Sequence, residues 1–334
     1  MNGANQQQSI AWGILGAGRN SGKFASDFVY VRGGYLHAVA SRQLTKAQDF
    51  ATAHNIPVAY GSYDDLLQDP KVDIVYIGTV NSAHYPLMKM ALLAGKPVVC
   101  EKPFTLDPTQ TREVIDLARS RNLFLMEGLW TRFFPVTRQL SETIASGGLG
   151  KPLWAQFDFG FIGNPNPNHR LWDPALGAGA YADVGIYPLA MARHYLGKIT
   201  HFDTLCHRNE RGVDTRDVIQ CVHESGAYSV LSTSIDTVMP CEGHISTEHA
   251  LIKIHNPCWK PAFATIYRHQ NQPGSMPKMQ EETIGAEYSG HGFHFEIEHV
   301  HECLRRGLLE SPLRTLDETL ETTEMLYKLR STNS

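Results

Sequence analysis

The sequence lacks the features that mark several classes of protein. Its six cysteines include no C-x-x-C pair, so their spacing predicts neither a zinc ribbon nor a disulfide framework. No apolar run is long enough to cross a membrane, and no long basic run accompanies the net charge of -4, which speaks against a nucleic-acid partner. The polar start, MNGANQQQS, has no apolar region of the kind found in signal peptides. We therefore expect a cytoplasmic protein that acts on a small molecule.

The first part of the chain alternates short apolar runs with helical ones. From Ile10 onward, this order is typical of a parallel sheet covered by helices. Strands buried on both faces are apolar throughout, which suits DIVYIGTV better than strict alternation would. The predicted strands are AWGILGAG, YLHAVAS, DIVYIGTV, KPVVCEK and LFLMEGL, and the predicted helices are KFASDFVYV, TKAQDFATAH, AHYPLMKMALLAG and TQTREVIDLARSR.

After about Phe133 the pattern changes. Strand-like segments follow one another with few helical runs between them, which indicates an α+β domain with an antiparallel or mixed sheet. The last segments return to helical spacing, and we expect them to pack against one of the domains. At 334 residues the chain is long enough for two cores. We predict a flexible tail at residues 1–9, a parallel-sheet domain at 10–130 and a second domain at 131–334.

Glycines follow the first predicted strand. In WGILGAGRNSG, Gly16, Gly18 and Ser21 form a G-x-G-x-x-small pattern where the first helix begins. Glycine suits a tight turn and lets the backbone approach a pyrophosphate, while the N–H groups at the helix start bind phosphate oxygens. A glycine pattern alone also fits an ordinary turn. Its place at the head of an alternating series predicts a dinucleotide-binding Rossmann domain.

The end of the second predicted strand indicates which dinucleotide binds. A ribose 2′-hydroxyl is usually held there by an acid, whereas this chain has Ser41, Arg42 and Lys46 and no acid. Hydroxyl and guanidinium groups attract a 2′-phosphate that a carboxylate would repel. We therefore predict NADP in preference to NAD. In the alternative, Arg42 is a solvated surface charge or stacks on adenine, and either cofactor binds.

Polar residues also stand at the ends of the next predicted strands. Thr79 and Asn81 follow DIVYIGTV, and Lys102 follows VVCE. Ligands of open α/β sheets bind beyond the carboxyl ends of the strands, so these side chains should line the same crevice as the glycines. From position alone, an equal alternative is a surface lysine paired with Glu101.

Four ordered motifs resemble those of one family. GILGAGR, EKPFTLD, MEGLWTRFFP and GAYADVGIYPL resemble the Gfo/Idh/MocA oxidoreductases, and most of all the branch with dihydrodiol dehydrogenases and NADP-dependent D-xylose dehydrogenases. The resemblance extends from Ile10 to ECLRRGLLESPL. It implies a Rossmann domain, then a domain with a large, open, mainly antiparallel sheet through which the protein forms a homodimer.

The resemblance also implies roles for individual residues. Lys102 matches the lysine of the family's E-K-P motif, while Asp183 and Tyr187 match the aspartate and the last position of its D-x-G-x-H/Y motif. We predict that these three are catalytic. Arg170 matches an arginine that approaches the cofactor. The predicted cofactor-binding residues are Gly16, Gly18, Arg19, Ser21, Ser41, Arg42, Lys46, Thr79, Asn81, His84, Glu101, Lys102 and Arg170.

Oxidation of a secondary alcohol requires a base for the hydroxyl proton. We assign this role to Tyr187, because a neighbouring Lys102 ammonium would lower the pKa of a phenol from its usual value near 10. Asp183 precedes Tyr187 by one helical turn and would accept a substrate hydroxyl or orient Lys102. In the alternatives, Tyr187 is a half-buried tyrosine at a domain contact and Asp183 caps a helix.

The stretch HGFHFEIEHVHE gathers histidines and glutamates, which are suitable metal ligands. However, Phe293, Phe295 and Ile297 alternate with the polar residues, which favours a strand with one wet face whose ligands diverge into the next helix. We therefore predict no metal site.

Together these patterns predict an NADP-dependent dehydrogenase or reductase that acts on a sugar, a cyclic diol or a related polyol, with no nucleic-acid or membrane partner. Two other classes stay open. A regulator of the same fold would bind the dinucleotide without turnover, and a metal hydrolase built on the histidines would leave the glycine loop unexplained.

Overall fold

The computed structural model describes residues 9–269 and 278–331. They form two compact units. One contains the described residues up to Trp130 together with Ser289–Thr323, and the other contains Thr131–Tyr288 together with the described residues from Glu324 onward. Residues 1–8 of the predicted tail lie outside the described residues. No helix in the described ranges is long and apolar enough to span a membrane.

The first unit begins with alternating strands and helices. All five predicted strands are confirmed, whereas a three-residue strand and the helix after it were not predicted because they are too short to show a period. The described strands are Ile10–Leu15 (β1), Gly34–Ala40 (β2), Val58–Tyr60 (β3), Ile74–Ile77 (β4), Val98–Glu101 (β5) and Leu125–Gly128 (β6). The helices are Arg19–Ser26 (α1), Leu44–His54 (α2), Tyr63–Leu67 (α3), His84–Leu93 (α4) and Pro108–Ser120 (α5).

These described strands form one parallel sheet in the order β3-β2-β1-β4-β5-β6, which confirms the Rossmann class. Leu15 pairs with Ile77, and Ile77 with Cys100, so β1, β4 and β5 end at the same edge of the sheet. β4, β5 and β6 are buried along their whole length, as expected of strands with both faces covered. The chain turns that follow β1, β4 and β5 therefore lie side by side, where ligands of such sheets bind.

The second unit contains a larger sheet that is mainly antiparallel, as predicted. Its described strands are Pro152–Gly160 (β7), Ile199–Arg208 (β8), Asp214–His223 (β9), Tyr228–Ser234 (β10), Gly243–Thr247 (β11), Ala250–Ile254 (β12), Phe263–His269 (β13) and Met279–Gly285 (β14), and its helices include Pro135–Ala145 (α6) and Ile186–Leu196 (α7). The strand order is β14-β13-β12-β11-β7-β10-β9-β8, with β7 and β10 parallel.

One face of this sheet is covered and the other is open. In β9, Asp217, Ile219 and Cys221 are buried, while Val218 and Gln220 between them are exposed. Period-two alternation of this kind belongs to a sheet that packs on one side only. Helix α7 packs on the covered face, against β7 and β10.

The C-terminal segments are helical. The prediction of a strand in the first half of HGFHFEIEHVHE was wrong, because Phe293–Arg305 forms a helix (α8) and Leu316–Ser331 forms another (α9). Phe293, Ile297 and Val300 are buried at the spacing i, i+4, i+7, which defines one face of a helix. The alternation of apolar and polar residues in this stretch is therefore compatible with a helix as well as with a strand. Asp27 accepts the N–H groups of His291 and Phe293 at 2.8 and 2.7 Å and so caps the start of α8.

A buried ion pair also ties these segments to the first unit. Arg314 donates to Glu127 Oε2 from Nε at 3.0 Å and from Nη2 at 2.6 Å, and Thr319 donates to the same oxygen at 3.3 Å. Both charged side chains are almost fully buried. Since an unpaired buried charge is costly, this pair fixes the chain before α9 against the end of β6.

Candidate functional site

The turn after β1 requires glycine. Gly16 has a φ of +106°, which L residues rarely adopt. A Cβ at this position would lie 2.7 Å from Cγ2 of Thr79 and 3.1 Å from the carbonyl oxygen of Gly78. The structure therefore brings Thr79 against the glycine loop, and it leaves no room there for a side chain.

The start of α1 can receive an anion. Gly18 provides no side chain to cap the first N–H groups, the first turn contains no acid, and Gly18 and Arg19 are exposed. Free N–H groups at a helix N-terminus and the helix dipole both favour phosphate. The tight glycine turn and the uncapped helix together fit the pyrophosphate of a dinucleotide.

Ser21, the third position of the glycine pattern, has a different environment. It is fully buried, and its hydroxyl donates to the carbonyl oxygen of Gly78 at 3.2 Å. A small residue at this position lets α1 approach the end of β4. We therefore assign to Ser21 a role in packing α1 against the end of β4.

The turn after β2 is basic, as the sequence indicated. Arg42 and Lys46 are exposed, Ser41 is partly exposed, and the first turn of α2 contains no acid. Arg42 lies near Tyr63, where its charge opposes the rise that burial causes in the pKa of the phenol. The described residues here offer a hydroxyl and two cations to a phosphate.

His84 connects the turns after β4 and β5. It is fully buried, with Nδ1 at 2.8 Å from the carbonyl oxygen of Pro103 and Nε2 at 3.4 Å from that of Thr79. Burial lowers the pKa of His84 to about 4, so the imidazole is neutral at physiological pH and Nδ1 donates its single proton to Pro103. Asn81 is buried in the first of these turns, and Lys102 is partly exposed in the second.

Glu101, at the end of β5, points into the protein. It is 6% exposed, and Oε1 accepts a hydrogen bond of 2.7 Å from the hydroxyl of Tyr76. Burial raises the pKa of Glu101, while the charge of Lys102 acts in the opposite direction. The carboxylate that precedes Lys102 is therefore an interior group and not a surface charge.

In the second unit, Asp183 lies within a π-helix, Tyr181–Gly185, that runs into α7. It is thus not the N-cap of a helix. Arg170 Nη1 donates to Asp183 Oδ1 at 2.8 Å, and the carboxylate is 12% exposed. The sequence assigned these two residues separately to cofactor and substrate, whereas the structure joins them in an ion pair. Short π-helices occur often at functional sites.

Buried aspartates of β9 hold this π-helix. Asp214 Oδ2 accepts the N–H of Tyr181 at 2.7 Å, and a Cβ at Gly179 would lie 2.2 Å from Asp214 Oδ1. The Tyr181 hydroxyl lies 2.7 Å from Thr204 Oγ1 and also bonds to Asp217. Neither aspartate was predicted from the sequence, because each looks like part of an ordinary strand.

Tyr187 lies in the first turn of α7 and is 7% exposed. Its ring centroid is 5.5 Å from that of Phe159, which in turn stacks on Trp259 at 3.5 Å. The sequence did not predict this pair of aromatic neighbours. The inward position of Phe159 on an alternating strand was its only signal, and Trp259 lies in an irregular segment.

The histidines of α8 serve packing. His299 Nε2 lies 2.7 Å from Ser311 Oγ, and His301 Nε2 accepts the indole N–H of Trp12 at 2.9 Å. Within the described residues, no three His, Cys, Asp or Glu side chains are placed to bind one metal ion.

Comparison with known proteins decides the family. A model described as "Oxidoreductase family, NAD-binding Rossmann fold" matches residues 10–129, and one for the GFO/IDH/MocA C-terminal domain matches residues 137–251. The chain belongs to the Gfo/Idh/MocA oxidoreductase family. It is 33% identical to trans-1,2-dihydrobenzene-1,2-diol dehydrogenase of Homo sapiens and 34% identical to that of Bos taurus, in each case over 96% of both chains.

Solved structures share the fold. A 3-ketoreductase from Actinomadura kijaniata, in complex with NADP and TDP-benzene, superposes with a TM-score of 0.84 and 22% identity over 97% of this chain and 98% of the other. A levoglucosan dehydrogenase in complex with NADH and levoglucosan has a TM-score of 0.84 and 16% identity, over 96% of this chain and 95% of the other. The curated relatives are named as dehydrogenases, these solved structures contain NADP or NADH, and this chain shares their fold.

Proposed function

We propose that the protein is an NADP-dependent oxidoreductase that interconverts a secondary alcohol and a carbonyl group in a sugar, a cyclic diol or a related polyol. The observation that carries this proposal is the pair formed by the turn at Gly16, with its positive φ, and the start of α1, which no side chain caps. It gains its meaning from the family to which the chain belongs. The dehydrogenase names of relatives at 33% and 34% identity support the cyclic diol.

NADP is the proposed cofactor because of the turn after β2. Ser41, Arg42 and Lys46 supply a hydroxyl and two positive charges, and no acid of this turn opposes a 2′-phosphate. Gly16, Gly18 and Arg19 would bind the pyrophosphate, with Thr79 and Asn81 in the adjoining turn. The buried residues Ser21, His84 and Glu101 would support these turns from the protein interior.

The proposed mechanism assigns one task to each catalytic side chain. The nicotinamide, when bound, supplies or accepts the hydride. The phenolate of Tyr187 takes the proton of the substrate hydroxyl during oxidation, and the phenol so formed returns it during reduction. The ammonium of Lys102 holds the same oxygen and stabilises the negative charge that develops on it. Asp183 accepts a second substrate hydroxyl, with its carboxylate oriented by Arg170 at 2.8 Å.

The open face of the second unit's sheet supports a homodimer. Leu205 is 77% exposed and lies opposite Val218 in the register of β8 and β9, and Tyr228 on β10 is 58% exposed. Apolar side chains in adjacent strands of an uncovered face are typical of an interface. Sedimentation equilibrium would measure the mass in solution, and a monomer at micromolar concentration would contradict this part of the proposal.

The catalytic assignment predicts that Tyr187→Phe and Lys102→Met each lower kcat by about 10²–10⁴-fold and leave the Kd for NADP within about threefold, since each removes a group that acts on the reacting oxygen. NADPH absorbance would follow turnover with aldoses, inositols and dihydrodiols, with NAD in parallel.

Tyr327→Phe, a matched change at a 47% exposed tyrosine of α9, is the control and should keep wild-type kcat. A fully active Tyr187→Phe enzyme would remove this tyrosine from the mechanism. Tight NADP binding by the wild-type protein, with no turnover of any substrate, would favour the regulator.

A further inference from the structure

The π-helix Tyr181–Gly185 begins without a cap from its own N-cap residue. The first N–H groups of a helix have no partner within the helix, and a side-chain oxygen of the preceding residue often supplies one. Here that residue is Ala180, which has no such oxygen. Since Tyr181 is fully buried, its N–H requires an acceptor from another part of the chain.

Asp214, the first residue of β9, supplies this acceptor. Its Oδ2 accepts the N–H of Tyr181 at 2.7 Å, although the two residues are 33 positions apart. Asp214 is only 3% exposed, so water does not compete for this bond. A hydrogen bond to a carboxylate is also stronger than one between neutral groups. Strand β9 thus caps a π-helix that lies elsewhere in the sequence.

The same carboxylate occupies the space beside Gly179. This glycine has a φ of +122°, and a Cβ on it would lie 2.7 Å from Asp214 Cγ and 2.8 Å from Oδ2. The carbonyl oxygen of Gly179 in turn accepts the N–H of Asp183 at 3.0 Å. Asp214 therefore contacts the backbone on which Asp183 depends at two points, the N–H of Tyr181 and Gly179.

Other contacts of this region do not replace Asp214. Asp217 bonds to Tyr181 through the hydroxyl of its side chain and leaves the backbone N–H to Asp214. Helix α7, which follows the π-helix, is held separately, because its residues Ile186 and Leu189 are buried and the helix packs against β7 and β10. Loss of the Asp214 carboxylate should therefore loosen the π-helix and leave α7, with Tyr187, in place.

The charge of Asp214 is partly compensated. Burial raises the pKa of this carboxyl, while the hydrogen bond from the Tyr181 N–H and the charges of Arg208 and Arg330 act in the opposite direction. An asparagine at this position would keep an acceptor oxygen and remove the charge. An alanine would remove both, so the two substitutions separate the hydrogen bond from the charge.

We propose that Asp214 is a positioning residue for substrate recognition, which anchors the backbone of the π-helix so that the Asp183 carboxylate is held beside Arg170 and faces a substrate hydroxyl. The part that concerns the substrate rests on the proposed function. The part that concerns the anchor of the π-helix does not.

Hydrogen exchange followed by mass spectrometry tests the anchor without an assay of activity. Asp214→Ala should speed exchange in peptides that contain Tyr181–Gly185 about 10- to 100-fold, as for a lost bond to a charged group. Asp214→Asn should stay within about fivefold of wild type, and peptides of α6, Pro135–Ala145, should be unchanged in both. Exchange in Asp214→Ala equal to that of the wild type, or equally fast in both variants, would overturn the proposal.

Kinetics tests the positioning role. Asp214→Ala should raise the KM for the substrate about 10- to 100-fold, because the carboxylate of Asp183 no longer faces the substrate. Both kcat and the KM for NADP should stay within about threefold, since Tyr187 and the glycine loop are held by other contacts. Asp214→Asn should restore the substrate KM to within about fivefold of wild type. Glu142→Ala, a change at an exposed acid of α6, is the control and should be silent.

A double-mutant cycle distinguishes positioning from a general loss of stability. Because Asp214 acts through Asp183, Asp214→Ala should lower kcat/KM by less than about threefold in a protein that already carries Asp183→Asn. The same loss in both backgrounds would overturn the positioning role, as would an unchanged substrate KM in Asp214→Ala alone.

Asp214→Ser replaces Asp214→Ala in each experiment if the alanine variant does not fold, since its hydroxyl is too short to reach the Tyr181 N–H. If even the wild-type protein turns over no substrate, the proposed function fails, while hydrogen exchange decides the anchor independently.

Discussion

Arg42 is the residue on which the choice between NADP and NAD depends most directly. It is exposed in the turn after β2, where an acid would select NAD. Arg42→Ala should raise the KM for NADP about 10- to 100-fold, the value of one or two charge-assisted hydrogen bonds, and change the KM for NAD less than about twofold. Steady-state kinetics with both cofactors would measure this.

Gln43→Ala is a suitable control for this prediction, because Gln43 is the exposed neighbour of Arg42 and carries no charge. It should leave the ratio of the two KM values unchanged. Equal effects of Arg42→Ala on both cofactors would mean that the guanidinium stacks on adenine or is simply solvated, and the preference for NADP would lose its basis.

Among individual residues, the sequence revealed those whose chemistry depends on local position. The glycine loop and the basic turn after β2 follow from short motifs, and the structure places them as expected. The pairing of Arg170 with Asp183 and the burial of Ser21 depend on the path of a loop and on helix packing. No short-range pattern encodes either.

Elements were predictable where their apolar pattern was clear. Strands β1, β4 and β5 were evident because they are apolar on both faces. In contrast, β3 has only three residues, β11 has a single large apolar residue in GHIST, and β14 is almost entirely exposed. The alternating aromatic residues at the start of α8 predict a strand, but the same residues also fit one face of a helix. The π-helix at Asp183 has no sequence signal at all.

The turn between β1 and α1 makes a prediction of its own. Gly16→Ala places a Cβ at a φ of +106° and 2.7 Å from Thr79, so it should lower stability by roughly 1–2 kcal/mol and also weaken NADP binding. Gly95→Ala is the matched control in the same unit, with a φ of +78° and no described atom near the new Cβ.

The control separates backbone strain from damage to the site. Thermal unfolding should show a loss for both variants, and the loss should be larger for Gly16→Ala because its Cβ also meets Thr79 and Gly78. Fluorescence titration with NADPH should show weaker binding for Gly16→Ala alone. Equal affinity in the two variants would mean that the turn after β1 does not approach the dinucleotide.

For the whole chain, the features hardest to predict are contacts between residues distant in sequence. Glu127 and Arg314 are 187 positions apart, and their ion pair was invisible in a sequence where each charge suits a surface. Such a pair stabilises the fold only when both partners are present, because either one alone would be a buried, uncompensated charge. The hydrogen bonds of Asp27 to the start of α8 also join residues more than 260 positions apart.

Buried acids also make stability depend on pH. Burial raises the pKa of Asp217 to about 7, well above the ordinary value of an aspartate. The charge of Asp214 adds to this rise, while hydrogen bonds from Cys206, Thr233 and Tyr181 oppose it. The folded protein therefore keeps this proton at pH values where the unfolded chain has lost it. Its contribution to stability is fully present below about pH 4 and disappears as the pH rises to about 7.

Asp217→Asn should remove this dependence. The variant should match the wild-type protein below about pH 4 and exceed it by an amount that grows up to about pH 7, to at most about 4 kcal/mol at 1.36 kcal/mol for each pKa unit. Urea unfolding across this range would measure the difference. Asp203→Asn, which changes an 82% exposed carboxylate on the neighbouring strand β8, should give a curve parallel to that of the wild type. If the stability curve of Asp217→Asn also runs parallel to that of the wild type, Asp217 is ionised in the folded protein. The π-helix that contains Asp183 would then be supported by a charged carboxylate.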